Sequence, residues 1–343
     1  MPSEWKTNMK ATELYDRLKH VSIGGNTCNY SLEKCESYIP IINKINHLKK
    51  EKNAIVLAHS YVSPEILYSV ADYVGDSYEL SKKAKMTSAD TIIFSAVKFM
   101  GETAKLLNPQ KKVLIPSTFN GCSLADAITG KDVQKLKQTY PNYTFVCYIN
   151  TSADVKAECD VCVTSSNVYK IIENIPNENI YFLPDELMGK NVIAALKKKN
   201  IQKNIKLWKG SCYVHEEYDA DSIKYLKQKH PNIKVASHPE CNTDVLEASD
   251  FVGSTSQLIS YVNNTESNAF FLLTECGLTS RLQAETPSKK FVGTCTMCKY
   301  MKSNTLEDIH RVLDNPNPED HITLSEDIQK KAVTCIEKMF ELA

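Results

Sequence analysis

The sequence has 343 residues, enough for two or three modules, and its 42% hydrophobic and 24% charged residues are typical of a soluble globular protein. Lys plus Arg and Asp plus Glu each number 41, so the charge gives no indication of a nucleic-acid partner or an anionic membrane surface. The start, MPSEWKTNMK, lacks a signal-like segment, and no apolar run approaches the ~20 residues of a membrane span, so we expect a cytoplasmic protein.

The predicted elements begin with a helical extension, residues 1–52. NMKATELYDRLKH and IPIINKINHLKKEK carry apolar residues at helical spacing, and IGGNTC between them is predicted as a turn. From Asn53, short apolar runs alternate with helical patterns, which indicates βα units and a parallel sheet. The predicted strands are AIVLAH, TIIFSA, KVLIPS, TFVCYI, VCVT, IYFLPD, IKLWKG, KVASH, FVGS, AFFLLT and KFVGT. Residues 301–343 return to helix and are expected to pack back on the core.

An internal repeat covers the predicted α/β region. Each copy has an Asp before a small-residue turn, a hydroxyl residue five positions later, a polar cluster that begins 17 or 18 positions before the hydroxyl, and a cysteine 43 to 47 positions after it. In chain order these are Asp72, Asp160 and Asp250; Ser77, Ser165 and Thr255; His59, Tyr148 and His238; and Cys122, Cys212 and Cys298. The sequence therefore predicts three copies of one α/β unit, in residues 53–127, 128–213 and 214–300, around a pseudo-threefold axis.

The twelve cysteines are the unusual feature of the composition. Most are predicted to be buried small side chains, but the three repeated ones lie in equivalent loops that converge on the axis. Three thiolates suit an iron–sulfur cubane whose open iron can act as a Lewis acid. Zinc held by three cysteines and a water is the alternative, although ligands roughly 90 residues apart do not make a zinc finger.

The three hydroxyl residues, Ser77, Ser165 and Thr255, are predicted to be helix N-caps. A single cap is usually only structural. However, a helix start offers free N–H groups and the positive end of the helix dipole, so three starts around one cavity would hold a small polyanion that carries carboxylate or phosphate.

The polar clusters supply candidate acid–base groups. His59 and Tyr61 come from HSY, Tyr148 and Asn150 from YIN, and His238 and Glu240 from HPE. A lone histidine is more often structural than catalytic, but equivalent positions at strand ends favour a functional role. Close to a Lewis acid, His and Glu suit enolisation and dehydration, because both reactions move protons to and from carbon and oxygen.

Residues 53–309 closely resemble the quinolinate synthase family, the A proteins of bacterial and archaeal NAD biosynthesis. The resemblance is specific because many segments occur in one order. These segments are PEI with ADYVGDSYELS, FMGETAKLLNP, GCSLAD, YINTSADVKAECDVCVTSSN, FLPDELMGKNV, CYVHEEY, HPECNTDVLEASDFVGSTS, TECGLTSRL and CKYMKSNTLEDI.

The resemblance implies three-layer αβα units around a pseudo-threefold axis, with a [4Fe–4S] cluster held by Cys122, Cys212 and Cys298. It implies a transferase that condenses iminoaspartate (iminosuccinate) with dihydroxyacetone phosphate to quinolinate, releases phosphate and two waters, and is functionally linked to the enzyme that supplies iminoaspartate. Tyr61 matches a family tyrosine near the reacting groups. The positions that match the substrate-binding residues are His59, Ser77, Tyr148, Asn150, Ser165, His238, Glu240 and Thr255.

The chain departs from the family pattern in three places. HSYV stands where HYYQ or HNYQ is usual, and the stretch from His59 to Ser77 is one residue longer. About the first 40 residues exceed what the core family needs. Cys295 and Cys298 form a CxxC, in which the following KYMKSNTLEDI aligns Cys298 with the family ligand. We expect Cys295 to be a neighbour that can form a disulfide with Cys298 on oxidation.

As a mechanistic hypothesis, Glu240 is the base, helped by His59 or His238, and Tyr61 is the proton donor. One alternative is another dehydratase or reductase built around three cysteines and an open cubane. The segments HPECNTDV and GCSLAD argue against this alternative. The other is a zinc- or cluster-binding redox sensor that switches through Cys295 and Cys298. A sensor has no need for acid–base side chains at equivalent strand ends.

Overall fold

The computed structural model describes residues 8–23, 28–293 and 296–343, without the side chains of Ile23 and Cys28. The N-terminal region contains α1 (Ala11–Leu18), an antiparallel pair β1 (Ser22–Ile23) and β2 (Cys28–Asn29), and α2 (Leu32–Glu51). The prediction placed the start of α2 at Ile39, which is wrong. The helix begins seven residues earlier because the Ser31 hydroxyl caps it by accepting the N–H of Lys34, and Pro40 lies inside it.

Three similar units follow, each with a four-stranded, all-parallel sheet flanked by helices. In every sheet the first strand of the unit lies between the second and the third, and the fourth strand pairs with the third. The predicted α/β class with three repeated units is therefore confirmed. In the described residues no helix has the length and apolar character needed to cross a membrane.

The first unit contains β3 (Ala54–His59), α3 (Pro64–Ser69), β4 (Tyr73–Gly75), α4 (Ser77–Met86), β5 (Thr91–Ser95), α5 (Lys98–Leu107), β6 (Lys112–Leu114) and a 3₁₀ turn (Ala125–Ala127). The second contains α6 (Gly130–Thr139), β7 (Thr144–Tyr148), α7 (Ala153–Glu158), β8 (Val161–Val163), α8 (Val168–Asn174), β9 (Asn179–Leu183), α9 (Glu186–Lys198), β10 (Asn204–Leu207) and α10 (Tyr213–Glu216). The third contains α11 (Ala220–Lys229), β11 (Lys234–Ser237), α12 (Thr243–Ala248), β12 (Phe251–Val252), α13 (Thr255–Asn264), β13 (Ala269–Leu273), α14 (Cys276–Glu285), β14 (Lys290–Phe291) and α15 (Lys299–Lys302).

The first and third strands of each unit are almost entirely buried, as expected for parallel strands covered on both faces. Because a strand buried on both sides needs apolar residues at every position, these segments read as continuous apolar runs. For that reason these strands could be predicted from the sequence. The polar residues of the repeat lie at the ends of the first strands. His59 ends β3, Tyr148 ends β7, and His238 directly follows β11.

The repeated aspartate ties the second strand of each unit to the first. Asp72 donates its N–H to the carbonyl of Val56 at 2.9 Å and accepts the Val56 N–H on its carboxylate at 2.7 Å. Asp160 makes the same two bonds to Phe145, and Asp250 makes them to Val235. The aspartate that marks the repeat in the sequence is thus a structural residue, which fixes the strand register beside the polar strand ends.

The C-terminal region contains α16 (Leu306–Asp314), a 3₁₀ turn (Pro318–Asp320) and α17 (Glu326–Leu342). α16 packs against α2, whereas α17 packs against α7 and β8 of the second unit. Between these helices, Ile322 donates its N–H to the carbonyl of Val113, so the tail also continues the edge of the first sheet. Arg311 holds the turn through a bidentate ion pair with the buried Asp320, at 2.6 and 2.9 Å.

Candidate active site

The loops at the carboxyl ends of the three sheets surround one cavity, the usual position of ligand sites in open α/β sheets. Each unit supplies side chains to its wall. All twelve predicted site residues line it: His59, Tyr61, Ser77, Cys122, Tyr148, Asn150, Ser165, Cys212, His238, Glu240, Thr255 and Cys298. The repeat therefore predicted which residues the fold brings together, and their chemical roles remain predictions.

The three repeated cysteines differ from the other described cysteines because they alone are partly exposed. Each precedes a short helical turn, and Cys212 and Cys298 occupy the N-cap positions of α10 and α15. The backbone N–H groups two and three residues after each cysteine favour its thiolate. These groups belong to Leu124 and Ala125, to Val214 and His215, and to Tyr300 and Met301.

Burial nevertheless raises the pKa of all three thiols, that of Cys122 to about 12. A thiolate in this position therefore needs a cation to balance its charge. Soft thiolate ligands from three separate segments, each with two N–H donors aimed at the sulfur, fit an iron–sulfur cluster, in which hydrogen bonds to sulfur and burial tune the iron. The donor set thus suits the group that the resemblance implies.

Glu240 is the electrostatic centre of the cavity wall. Tyr148 donates its hydroxyl proton to Oε1 at 2.5 Å, and Nδ1 of His215 lies 2.9 Å from Oε2. Burial opposes the negative charge, but His215 and His238 and the hydrogen bonds from His215 and Tyr148 outweigh it and lower the pKa of Glu240 to about 2. Glu240 is therefore ionised at neutral pH, although only 3% of its surface is exposed.

The other acid–base candidates keep their neutral forms at neutral pH. Burial lowers the pKa of His59 to about 4 and that of His238 to about 3, so both imidazoles are uncharged. Burial raises the pKa of Tyr61 well above its usual value, so the phenol keeps its proton. Burial also raises the pKa of Tyr148, and the charge of Glu240 adds to the effect. The carboxylate of Glu240 thus shares the cavity with two neutral imidazoles and two neutral phenols.

His215 is a site residue that the sequence analysis missed. Its Nδ1 lies 3.3 Å from Sγ of Cys212, and its Nε2 lies 3.1 Å from the hydroxyl of Thr274. Its ring stacks on His238 at 4.6 Å. The signal was present in CYVHEE, because a histidine three positions after Cys212 lies on the same helical turn as the thiol.

Cys212, His215 and Glu240 are also the only described set of three potential metal-ligand side chains whose ligand atoms all lie within 4.8 Å of one another. In this geometry His215 and Glu240 satisfy each other, and Tyr148 occupies the second oxygen of Glu240. The set therefore offers one free ligand atom, the sulfur of Cys212, rather than a three-ligand zinc site.

Tyr61 reaches from the first unit into the third. Its hydroxyl lies 2.9 Å from that of Thr255 and 2.8 Å from that of Thr274. Its ring meets His59 edge-on, with 4.4 Å between centroids. Thr274, which the sequence analysis also missed, contacts both Tyr61 and His215 and so connects the two sides of the cavity.

The prediction that Ser77, Ser165 and Thr255 are N-caps is wrong. Asp76 caps α4 by accepting the N–H groups of Tyr78 and Glu79, and Ser254 caps α13 by accepting that of Gln257. Ser77 and Thr255 are instead the first helical residues, one position later. Asp and Ser have the better geometry for capping, so the hydroxyl groups that follow them are left to face the cavity.

Ser165 departs further from its predicted position. α8 begins only at Val168, because Asn167 first closes a turn by accepting the N–H of Thr164 at 2.7 Å. Ser165 lies inside this turn and still lines the cavity. The three hydroxyl residues are therefore equivalent in their exposure to the cavity but not in their relation to a helix start.

The loop of the third cysteine is held by a buried ion pair. Glu275 caps α14, accepts the N–H of Cys298 at 3.1 Å, and lies 3.2 Å from the ammonium group of Lys302, which also donates to the carbonyl of Tyr61. A side chain at Gly277 would lie 2.6 Å from the backbone of Tyr61, so the first and third units need glycine for this close approach. Cys295, predicted to pair with Cys298, lies outside the described residues.

Sequence comparisons with known proteins find one family and several named relatives. The model of the family described as Quinolinate synthetase A protein matches residues 43–341. The quinolinate synthase of Sinorhizobium fredii (strain NBRC 101917 / NGR234) is 44% identical over 306 residues, which cover 89% of this chain and 83% of the relative. The quinolinate synthase of Aquifex aeolicus (strain VF5) is 44% identical over 307 residues, or 88% and 93% of the two chains. That of Sulfurihydrogenibium sp. (strain YO3AOP1) is 43% identical over 311 residues, or 88% and 98%.

Proposed function

The chain belongs to the quinolinate synthase family, and from that premise we propose that it condenses iminoaspartate with dihydroxyacetone phosphate to quinolinate in the central cavity. The reaction releases phosphate and two waters, and quinolinate is an intermediate of de novo NAD biosynthesis. The protein would act in the cytoplasm as a transferase, on substrate delivered by the enzyme that makes iminoaspartate. The observation that carries the proposal is that three partly exposed thiols, one from each unit, share a cavity with the ionised carboxylate of Glu240.

Cys122, Cys212 and Cys298 would hold a [4Fe–4S] cluster. When bound, such a cluster supplies a Lewis-acidic iron that lacks a protein ligand. The fit rests on the donor chemistry, since each sulfur receives two backbone N–H groups and is buried enough that its thiolate needs a cation. His215 contacts both Cys212 and Glu240, so it would link the ligand shell to the candidate base.

The hydroxyl groups of Ser77, Ser165 and Thr255 would bind the carboxylates of the substrate. The ten-residue helices α4 and α13 add the positive ends of their dipoles at Ser77 and Thr255, where Asp76 and Ser254 already accept N–H groups of the first turn. Asn150 and Tyr148 would contribute further hydrogen bonds. Because His59 and His238 are uncharged, each imidazole would have one nitrogen that can donate a hydrogen bond to the substrate and one that can accept a hydrogen bond from it.

Glu240 would accept protons from the condensing substrate. Its pKa of about 2 keeps it ionised, but a carboxylate with so low a pKa is a weak base. A substrate that takes over the hydrogen bond of Tyr148 or His215 raises the pKa of Glu240 and so strengthens the base where it is needed. Tyr61 keeps its proton and lies against Thr255, so it would donate to an oxygen of the bound substrate.

The test is anaerobic purification followed by iron and sulfide analysis and an assay of quinolinate formation. We expect about four irons per chain. We also expect an EPR signal of the reduced protein that changes when quinolinate is added, together with quinolinate formation from the two substrates. Stoichiometric zinc, or a fully loaded cluster without quinolinate formation, would contradict the proposal.

A further inference from the structure

Four buried cysteines lie together in the second unit, where they meet the C-terminal helix. This thiol cluster consists of Cys147 on β7, Cys159 and Cys162 at β8, and Cys335 on α17. Cys159 is 8% exposed, and the other three are exposed by 1% or less. None of the four lines the catalytic cavity. The repeat that located the cavity thiols does not account for them.

Cys147 is the centre of the thiol cluster. It makes S–H···S contacts with Cys159, Cys162 and Cys335, and its sulfur lies 3.6 Å from that of Cys335. The four cysteines are not among the described groups of three or more side chains placed to hold a metal ion, so the cluster is not a preformed metal site. A pairwise reaction suits this arrangement better, since a disulfide has a sulfur separation of ~2.05 Å and Cys335 can approach by a small movement of its side chain.

The surroundings of Cys147 favour its thiolate. Burial opposes ionisation, but the hydrogen bonds from the three neighbouring thiols and the charge of Lys156 lower the pKa of Cys147 well below its usual value. Lys156 is fully buried and is held by the carbonyls of Ile149 and Thr151. Burial raises the pKa of Cys335, and its contact with Cys147 adds to the effect, so Cys147 is the nucleophile of the pair.

We propose that Cys147 and Cys335 form a reversible disulfide when the protein meets a hydroperoxide. The Cys147 thiolate attacks the O–O bond of hydrogen peroxide, becomes a sulfenic acid and releases hydroxide, which takes up a proton. The Cys335 thiol then displaces water from the sulfenic sulfur. Overall, two thiols lose two electrons and two protons, and one peroxide becomes two waters. The product joins α17 covalently to the strand that carries Tyr148, and the inference is independent of the proposed function.

Trypsin cleaves the chain so that the two reacting thiols lie in different peptides, and a disulfide between them can therefore be detected directly. Cys147 is the only cysteine of residues 138–156, Cys335 is the only one of residues 332–338, and Cys159 and Cys162 share residues 157–170. The full-length protein is treated with a small excess of hydrogen peroxide, alkylated in denaturant and digested. We expect a linked pair of peptides 138–156 and 332–338, two hydrogen atoms lighter than their sum, which dithiothreitol separates.

Variants then assign the partners. In Cys335→Ser we expect the linked pair of peptides to be lost, and Cys147 to become a sulfenic acid or to link to residues 157–170. The control is Cys35→Ser, which changes a buried cysteine of α2 outside the cluster and is expected to keep the linked pair at the level of the unchanged protein. Peroxide is also expected to raise the thermal midpoint of Cys35→Ser relative to Cys335→Ser by several degrees. The proposal is overturned if peroxide oxidises Cys122, Cys212 and Cys298 while the peptides of Cys147 and Cys335 remain unlinked, or if Cys147 links mainly to residues 157–170 in the unchanged protein.

Discussion

The two groups of cysteines in this protein differ in where the fold places them. Cys122, Cys212 and Cys298 begin helical turns at the open ends of three sheets, where backbone N–H groups point at sulfur and the side chains are partly exposed. The thiol cluster around Cys147 lies inside the second unit, where the thiols contact each other and the buried Lys156 lies close enough to influence Cys147. The same side chain is thus open to a ligand in one region and enclosed among other thiols in the other.

The largest expected effect comes from breaking the first group. Cys122→Ala, Cys212→Ala and Cys298→Ala are each expected to lose the cluster and reduce quinolinate formation to background, because two remaining thiolates do not retain a cubane. Cys162→Ala, in the thiol cluster, is the matched control and is expected to keep its iron. The measurement is iron and sulfide content after anaerobic purification. Full iron in any of the three cavity variants would remove that residue from the ligand set.

The next largest effect is expected from a change to Glu240, and it distinguishes the role of this carboxylate from that of the cavity thiols. Glu240→Gln keeps the shape of the side chain but cannot accept a proton, so kcat is expected to fall by about 10² to 10⁴-fold. Iron content and the EPR spectrum of the reduced protein are expected to stay unchanged, which distinguishes this loss from that of a cysteine variant. Unchanged turnover with a loaded cluster would rule Glu240 out as the base.

His215 joins the cysteines to the carboxylate, and its replacement is expected to have an intermediate effect. His215→Asn removes a hydrogen bond to an ionised group, so kcat is expected to fall by roughly 10 to 100-fold, which corresponds to about 1.5 to 3 kcal/mol. Loss of this bond also raises the pKa of Glu240. The acid limb of the pH profile of kcat is therefore expected to move to higher pH, while Thr243→Ala, a polar change outside the cavity, leaves it in place. An unmoved profile would separate His215 from the function of Glu240.

The smallest effect is expected in the second group of thiols. Cys335→Ala leaves a small cavity under α17 and is expected to reduce the free energy of unfolding by about 1 kcal/mol, with iron content and kcat unchanged. Denaturant unfolding under reducing conditions measures this, and Cys35→Ala serves as a comparison at an equally buried site. A loss of iron in Cys335→Ala would mean that the two groups are coupled, against the distinction drawn above.

The sequence predicted much of the cavity because the repeat is built from local rules. A continuous apolar run marks a strand buried on both faces, and the repeat spacing marks the loops that carry Cys122, Cys212 and the pair Cys295 and Cys298. Spacing alone left the third cysteine ambiguous, and the resemblance of the following KYMKSNTLEDI to the family pattern selected Cys298. The helix starts were not predicted correctly. Asp76 and Ser254 cap α4 and α13 by accepting their first N–H groups, and the hydroxyl residues that follow them do not. Capping is decided by geometry over one or two residues, which spacing does not resolve.

Contacts between distant segments could not be predicted. The spacing of His215 from Cys212 is a local signal, but its contacts with Glu240 and Thr274 arise because separate units meet. No local pattern tells which side chains of different units touch, so Thr274 could not be found from the sequence. Cys147 and Cys335 are 188 residues apart in sequence, and Cys335 belongs to a helix outside the repeat. Their proximity depends on how α17 packs against α7 and β8, which is a property of the tertiary structure alone.

The polar clusters at the ends of the three first strands differ, HSY, YIN and HPE, although the three units share one topology. A cavity with true threefold symmetry would offer any ligand three indistinguishable orientations, and two different reactants could not be told apart by their position. Here the position of Glu240 in the third unit is taken by Tyr61 in the first and by Asn150 in the second, and Tyr148 of the second unit donates to Glu240. The divergence of the repeats therefore removes the threefold symmetry of the cavity, so that an asymmetric molecule would bind in one orientation.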